Sequence, residues 1–308
     1  LTEDICVIMV SHFDTEEGRQ RTRRLFTNIN RNAKVTSGAE NIVLDEDDGI
    51  AILTRRLIQE HDFLKEEGRV RVILGQDSKD KLKIAGKSIP KADKSAITSI
   101  MTLYNILRSL AFDQPKEIRN EKARPSNDLL DASYVVLSAR IDDLLDSSGA
   151  IKDQLLKCDS ARDVRAPKDN EGIGHPFMRP IVQEALTKAV AQCIQQELID
   201  WNGAIKKISE LDWKLNSAPW TAIWSAEGNK ILSGTDFSKV LVDLLICNIA
   251  PPSKQFVKDA RRNYKNLRER DFPQSAETLY ENIPSASEGS ISDAAATDGN
   301  PVEQGSDG

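Results

Sequence analysis

No stretch of this 308-residue chain stays apolar for the ~18 residues that a membrane-crossing helix needs. The best candidate, residues 240–249, is broken by Asp243 and Asn248. No basic-then-apolar leader opens the chain, so secretion is not expected either. Only four cysteines are present, Cys6, Cys158, Cys193 and Cys247, far apart and without CxxC or Cys/His spacing. That argues against structural zinc and a disulfide framework and fits a reducing cytoplasm. The GxxxxGK[ST], GxGxxG and GxSxG signatures are all missing. Aromatics are scarce at 5%, and the three histidines, His12, His61 and His175, are isolated. The chain opens on Leu1 rather than Met, as a fragment or a processed product does.

What is there is a globular profile, 39% hydrophobic and 29% charged. The net charge of −6 is unevenly spread: residues 274–308 hold seven acids and no Lys or Arg, so without them the body stands at +1. That last segment is rich in Ser, Gly, Ala and Asp. It has too little large apolar surface to offset its ordering entropy and reads as a disordered acidic tail, residues 273–308.

The apolar run Ile5-Cys6-Val7-Ile8-Met9-Val10 reads as a strand buried on both faces. Asp14-Thr15-Glu16-Glu17 opens a helix to about residue 29, with Leu25, Phe26 and Ile29 inward and Arg19, Arg21, Arg23 and Arg24 elsewhere. Asp47-Asp48-Gly49 starts a second helix, to about residue 60, carrying Arg55 and Arg56. Residues 69–74 and 81–85 read as a hairpin. After Pro90 the period turns helical: a helix holding Ile97 to Leu110, another over 126–146, a loop over 159–176, and a long helix over 179–201. Further helices contain residues 237–245 and 253–270. The fold class is therefore an α/β front with an incomplete sheet, residues 1–90, followed by a mainly α-helical body, residues 91–272. So few strands suggest that partner strands precede Leu1.

Two features stand out as sites. In the segment from Leu25 to Lys34, then Asp45, three Asn in five residues end an apolar-faced helix. Phe26 would point inward, and Asn28, Asn30, Arg31, Lys34 and Asp45 would line a polar pocket for a phosphate or a base edge; alternatively the Asn residues cap the helix and turn the chain. In residues 254–270, seven basic side chains against two acids would lie along a phosphate backbone, with Lys258, Arg261, Arg262, Lys265 and Arg268 as contacts. These basic residues are read as spread over several faces; alternatively this is a solvated surface helix. The four arginines from Arg19 to Arg24 make a second basic patch, and Arg19, Arg23, Arg24, Arg55 and Arg56 are further candidate DNA contacts. The acids 45–48 suit a divalent cation or, more plainly, a helix cap, and no metal is assigned. His175, in Gly172-Ile173-Gly174-His175-Pro176-Phe177, and the tryptophans Trp213, Trp220 and Trp224 read more plainly as packing than as chemistry.

Four stretches together resemble the DGQHR-domain, DndB-like family associated with DNA sulfur modification. They are the strand 5–10 with the helix ending Leu25-Phe26-Thr27-Asn28-Ile29-Asn30-Arg31; Leu44-Asp45 with the helix through Thr54-Arg55-Arg56; Pro176-Phe177-Met178-Arg179-Pro180-Ile181; and residues 208–224 before Gly228-Asn229-Lys230-Ile231-Leu232. The Asp-Gly-Gln-His-Arg motif itself is absent. The resemblance implies a ParB-like α/β core with helical additions. It also implies a DNA-binding accessory or regulatory role in a bacterial or archaeal phosphorothioation-type system. The expected partners are DNA and modification enzymes of the same gene cluster, with no membrane, and homo-oligomerisation is left open. No cofactor is expected. The alternative is a nucleotide-dependent enzyme, an ATPase or DNA nickase using ATP, with Asn30, Arg31 and Asp45 at its site. A third reading is a protein-interaction scaffold.

Overall fold

Asp48 sets the start of the first well-buried helix: its carboxylate accepts from the Ile50 and Ala51 N–H groups, and Gly49 follows where a Cβ would stand 2.7 Å from the Ile118 carbonyl oxygen. The computed structural model describes residues 13–33, 38–76, 82–90, 93–167, 173–228 and 230–285. Among these, α1 (Glu16–Ala33), α2 (Gly38–Leu44) and α3 (Gly49–Glu60) precede a small strand region of β1 (Val70–Arg71), β2 (Ile73–Gln76), β3 (Leu82–Ile84) and β4 (Thr98–Ser99). The body follows as α4 (Ile100–Leu110), α5 (Asn127–Ser147), α6 (Ile151–Lys157), α7 (Ala161–Arg165), a 3₁₀ turn (Pro176–Met178), α8 (Pro180–Gln195) and α9 (Trp201–Ser209). A second 3₁₀ turn (Trp220–Ala222), β5 (Trp224–Ser225), β6 (Lys230–Ile231), α10 (Thr235–Ile249), α11 (Lys254–Arg268) and α12 (Ala276–Tyr280) complete it. The chain is a mainly helical body with a small sheet front. No helix among the described residues is long and apolar enough to cross a membrane.

The strands make three two-stranded pairs: β1 with β4 in parallel, β2 with β3 antiparallel, and β5 with β6 antiparallel. The expected hairpin is present as β2 and β3, but residues 69–74 divide between two partners. Val70 and Arg71 pair with Thr98 and Ser99, while Ile73 turns to Ile84. The expected strand over 5–10 lies outside the described residues.

The centre of the body is α8, whose Ala185, Ala189 and Ala191 let α10 and α4 pack closely alongside Val182, Leu186, Val190 and Cys193. Residues on both sides of position 90 share this core: Leu53 and Leu57 belong to the same apolar cluster as Leu107, Val190 and Leu244.

Three expectations need correction. Helix α1 continues to Ala33, so Asn28 and Asn30 lie within its last turns rather than at a cap. The helix over 179–201 is two helices: α8 stops at Gln195, Glu197 adopts a left-handed backbone (φ 56°), and Asp200 caps α9 through the Gly203 N–H at 2.7 Å. The segment expected to be a tail from residue 273 begins as structure. Ser275 caps α12, Leu279 is fully buried, and the Asn282 side-chain amide donates to the Cys247 carbonyl. Burial of one leucine and three polar contacts, to Asn248, Cys247 and Lys207, outweigh the segment's acidic composition here.

Candidate nucleic-acid interface

The four consecutive acids 45–48 are all at least 94% buried. Asp45 Oδ1 accepts from the Asp47 and Asp48 N–H groups at 2.8 and 3.2 Å, closing a turn. Glu46 receives three guanidinium groups: Arg23 and Arg55 at 3.1 Å and Arg124 at 2.9 Å. Arg24 pairs with Asp47 at 3.0 Å. The second oxygen of Asp48 accepts from the Tyr104 hydroxyl at 2.8 Å. Burial pushes the Asp48 carboxyl up, opposed by the Tyr104 and backbone hydrogen bonds, and burial likewise raises the Tyr104 phenol. The cluster therefore does cap and ion-pair work.

This arrangement corrects the expected pocket. Phe26 is 56% exposed rather than inward, and Asp45 is buried within its own turn rather than accessible. Asn28, Asn30 and Arg31 ride on the C-terminal turns of α1, their side chains outside the described set, and Lys34 lies outside it altogether. The front arginines are engaged locally. Arg19 pairs with Asp14 and Glu16, Arg23 with Glu16 as well as Glu46, and Arg56 with Glu60 and Asp131 while covering the Tyr134 ring. Arg55 is held by the Ile42 and Asp45 carbonyls, and burial lowers its pKa.

Helix α11 is organised differently. Val257, Ala260 and Tyr264 form its buried seam. At 100° per residue, Lys254, Lys258, Arg261, Arg262 and Lys265 fall within an arc of about 100° that starts beside this seam at the half-buried Arg261 and turns outward to Arg262, and span about 16 Å along the axis. The basic residues expected on several faces are thus mostly on one. Lys258, Arg262 and Lys265 are exposed; Arg262 reaches Asp259 and Lys265 reaches Asp271, as surface pairs open to solvent. Arg268 instead turns back to donate to the Trp224 carbonyl at 2.8 Å, and Arg270 to the Tyr264 hydroxyl.

His175 and the tryptophans serve packing. The His175 Nδ1 accepts from the Phe177 N–H, and the ring stacks on Trp213, which also meets the edge of Phe177 and the fully buried Trp220. Trp213 and Trp220 donate to the Ile208 and Asp212 carbonyls. His175 and Trp213 line one wall of an open cleft of about 1030 Å³ with Cys158, Asp163 and Lys214.

Compared with known proteins, residues 2–245 match the model of the DndB family, described as DNA-sulfur modification-associated. That match ends within α10, ahead of the basic helix α11. No curated protein and no solved structure matches the chain.

Proposed function

Because the chain belongs to the DndB family of DNA-sulfur modification-associated proteins, we propose that it is a DNA-binding accessory or regulatory protein of a phosphorothioation-type DNA-modification system. The observation that carries the reading is the one-sided basic stripe of α11, with Lys258, Arg262 and Lys265 outward on a helix anchored by Val257, Ala260 and Tyr264. Such a stripe neutralises phosphates and releases counterions without reading base edges. The working environment is the cytoplasm, where DNA and the modification enzymes of the same gene cluster are the partners. The alternative ATP-dependent site at Asn30, Arg31 and Asp45 would have to recruit a carboxylate that already serves two backbone N–H groups.

The test is fluorescence anisotropy on two unrelated duplexes at several salt concentrations. Replacing Lys258, Arg262 and Lys265 with Ala should weaken binding to both duplexes alike. It should also flatten the log–log salt slope by about 0.9 for each phosphate no longer neutralised. Unchanged affinity and slope on both duplexes would remove α11 from the interface. ATP turnover abolished by Asn30→Ala would favour the enzyme instead.

A further inference from the structure

A second cleft, of about 910 Å³, opens on a part of the molecule that the DNA reading does not use. Its walls are the segment after β3 (Lys87, Ser88, Ile89), the first turns of α8 (Arg179 to Lys188) and the β6–α10 junction with the first turns of α10 (Ser233 to Asp243). Four basic side chains line it, Lys87, Arg179, Lys188 and Lys239, against two acids, Glu184 and Asp243. The acids are unequal to the cations. Glu184 is 94% buried and already holds Lys87 at 2.8 Å and the Asn105 amide at 2.9 Å. Asp243 is half-buried, its carboxyl pushed up by burial and drawn down by Lys239. No carboxylate among the described residues pairs with Arg179 or Lys188.

Arg179 is the centre of this imbalance. It donates to the Arg165 carbonyl, and its Nε is buried without a hydrogen-bond partner. The neighbouring Arg165 is 95% buried, bonded only to the Asp93 and Ala96 carbonyls, with its own Nε also unpartnered. The nearest acid to it, Asp93, is paired with Arg71. Two like charges are thus held together in a poorly solvated place. Burial first, and then Arg165, bring the Arg179 guanidinium down to about 10. An anion in the cleft would relieve this repulsion by placing a negative charge beside the Arg179 guanidinium.

The opposite wall complements it. α10 starts at Gly234 with no side-chain cap, its backbone at φ 134°, in a stretch that also offers the Ser233, Thr235 and Ser238 hydroxyls. Its Ser238 N–H is the first to bond back along the helix, to the Gly234 carbonyl. We propose that this cleft binds the phosphoryl or pyrophosphoryl group of a small molecule, gripped between Arg179 and Lys188 of α8 and the hydroxyl-rich start of α10. The volume suits a nucleotide-sized ligand. A duplex, with its backbone on the outside of a wide cylinder, is served by the convex stripe of α11 and not by a concavity.

The test is calorimetric titration of the full chain with sodium pyrophosphate, and separately with ADP, at constant ionic strength, with sulfate as the ionic control. Thermal unfolding is followed in parallel. Saturable binding of pyrophosphate, with a rise in Tm of about 5 °C at saturation, is expected. Tighter binding of ADP would identify the source as a nucleotide, and equal binding as a simpler phosphorylated group. In the double variant Lys188→Glu/Lys239→Glu, both positions exposed, affinity should fall at least tenfold, while DNA binding through α11 persists. Absence of saturable binding, retention of full affinity by the double variant, or displacement of pyrophosphate by short duplex DNA would each overturn the proposal. Because the two sites carry separate variants, failure here leaves the DNA reading standing, and the reverse.

Discussion

The imidazole of His175 lies nearly parallel to the indole of Trp213, ring centroids 5.3 Å apart at 11°. Its Nδ1 accepts from the Phe177 N–H at 3.2 Å, so the neutral ring carries its proton on Nε2, which has no partner. Burial pushes the imidazole down to about 4.

The folded value therefore lies below the ordinary value of about 6.5. The unfolded chain takes up a proton here that the fold refuses, so stability contributed by neutral His175 is complete above pH 6.5 and is lost as pH falls from there toward 4. The loss should reach about 3 kcal/mol at the lower end. His175→Asn keeps an acceptor for the Phe177 N–H and cannot titrate, so its urea-unfolding free energy should fall less steeply over this window. An identical slope in the variant would disprove the assignment.

Glu46 is surrounded by Arg23, Arg55 and Arg124. Glu46→Gln strands three guanidinium groups around a neutral side chain and should cost about 3–5 kcal/mol in chemical unfolding. A cost under about 1 kcal/mol would mean that solvent already screens this cluster.

Leu279 is fully buried, and the residues around it bond to Asn248, Cys247 and Lys207. Leu279→Ala should cost about 2–5 kcal/mol. A chain ended after Pro273 should be destabilised at least as much, whereas one ended after Ser285 keeps these bonds. Equal melting temperatures for all three would show that α12 is not part of the cooperative unit.

Two basic residues of one helix should separate cleanly. Arg268 is tied to the Trp224 carbonyl, so Arg268→Ala should lower Tm and leave the salt slope of DNA binding nearly unchanged. Lys258 is exposed, and Lys258→Ala should do the reverse.

Helices with strong local signals were legible in the sequence. Asp48 before Gly49, Ser126 before Asn127 and Ser253 before Lys254 each announce a cap and each provides one. The apolar residues of α11 divide by depth, with Val257, Ala260 and Tyr264 buried and Phe256 and Leu267 half-buried beside them. What stayed hidden depends on tertiary partners. Nothing local requires Glu197 to turn left-handed between α8 and α9. The acids 45–48 read locally as a cap, and their burial shows only once Arg23, Arg24 and Arg124 arrive from other segments. The second cleft escaped for the same reason. Arg179 sat in a motif with no assigned role, while Lys87, Lys188 and Lys239 are separated by up to 152 positions and meet only through the packing of α8 against α10.

The short turn Pro176–Met178 has His175 at one end and Arg179 at the other. It rests on the Arg165 carbonyl at Gly174, where there is no room even for a methyl group. The first cleft is thus lined by His175 and the second by Arg179, at the two ends of one short turn, with a tryptophan stacked beside one and a cation without a carboxylate partner at the other. Only three residues separate Arg179 from His175, which stacks on Trp213, so tryptophan emission compared between the intact chain and Trp213→Phe is a label-free readout while the Arg179 cleft is filled.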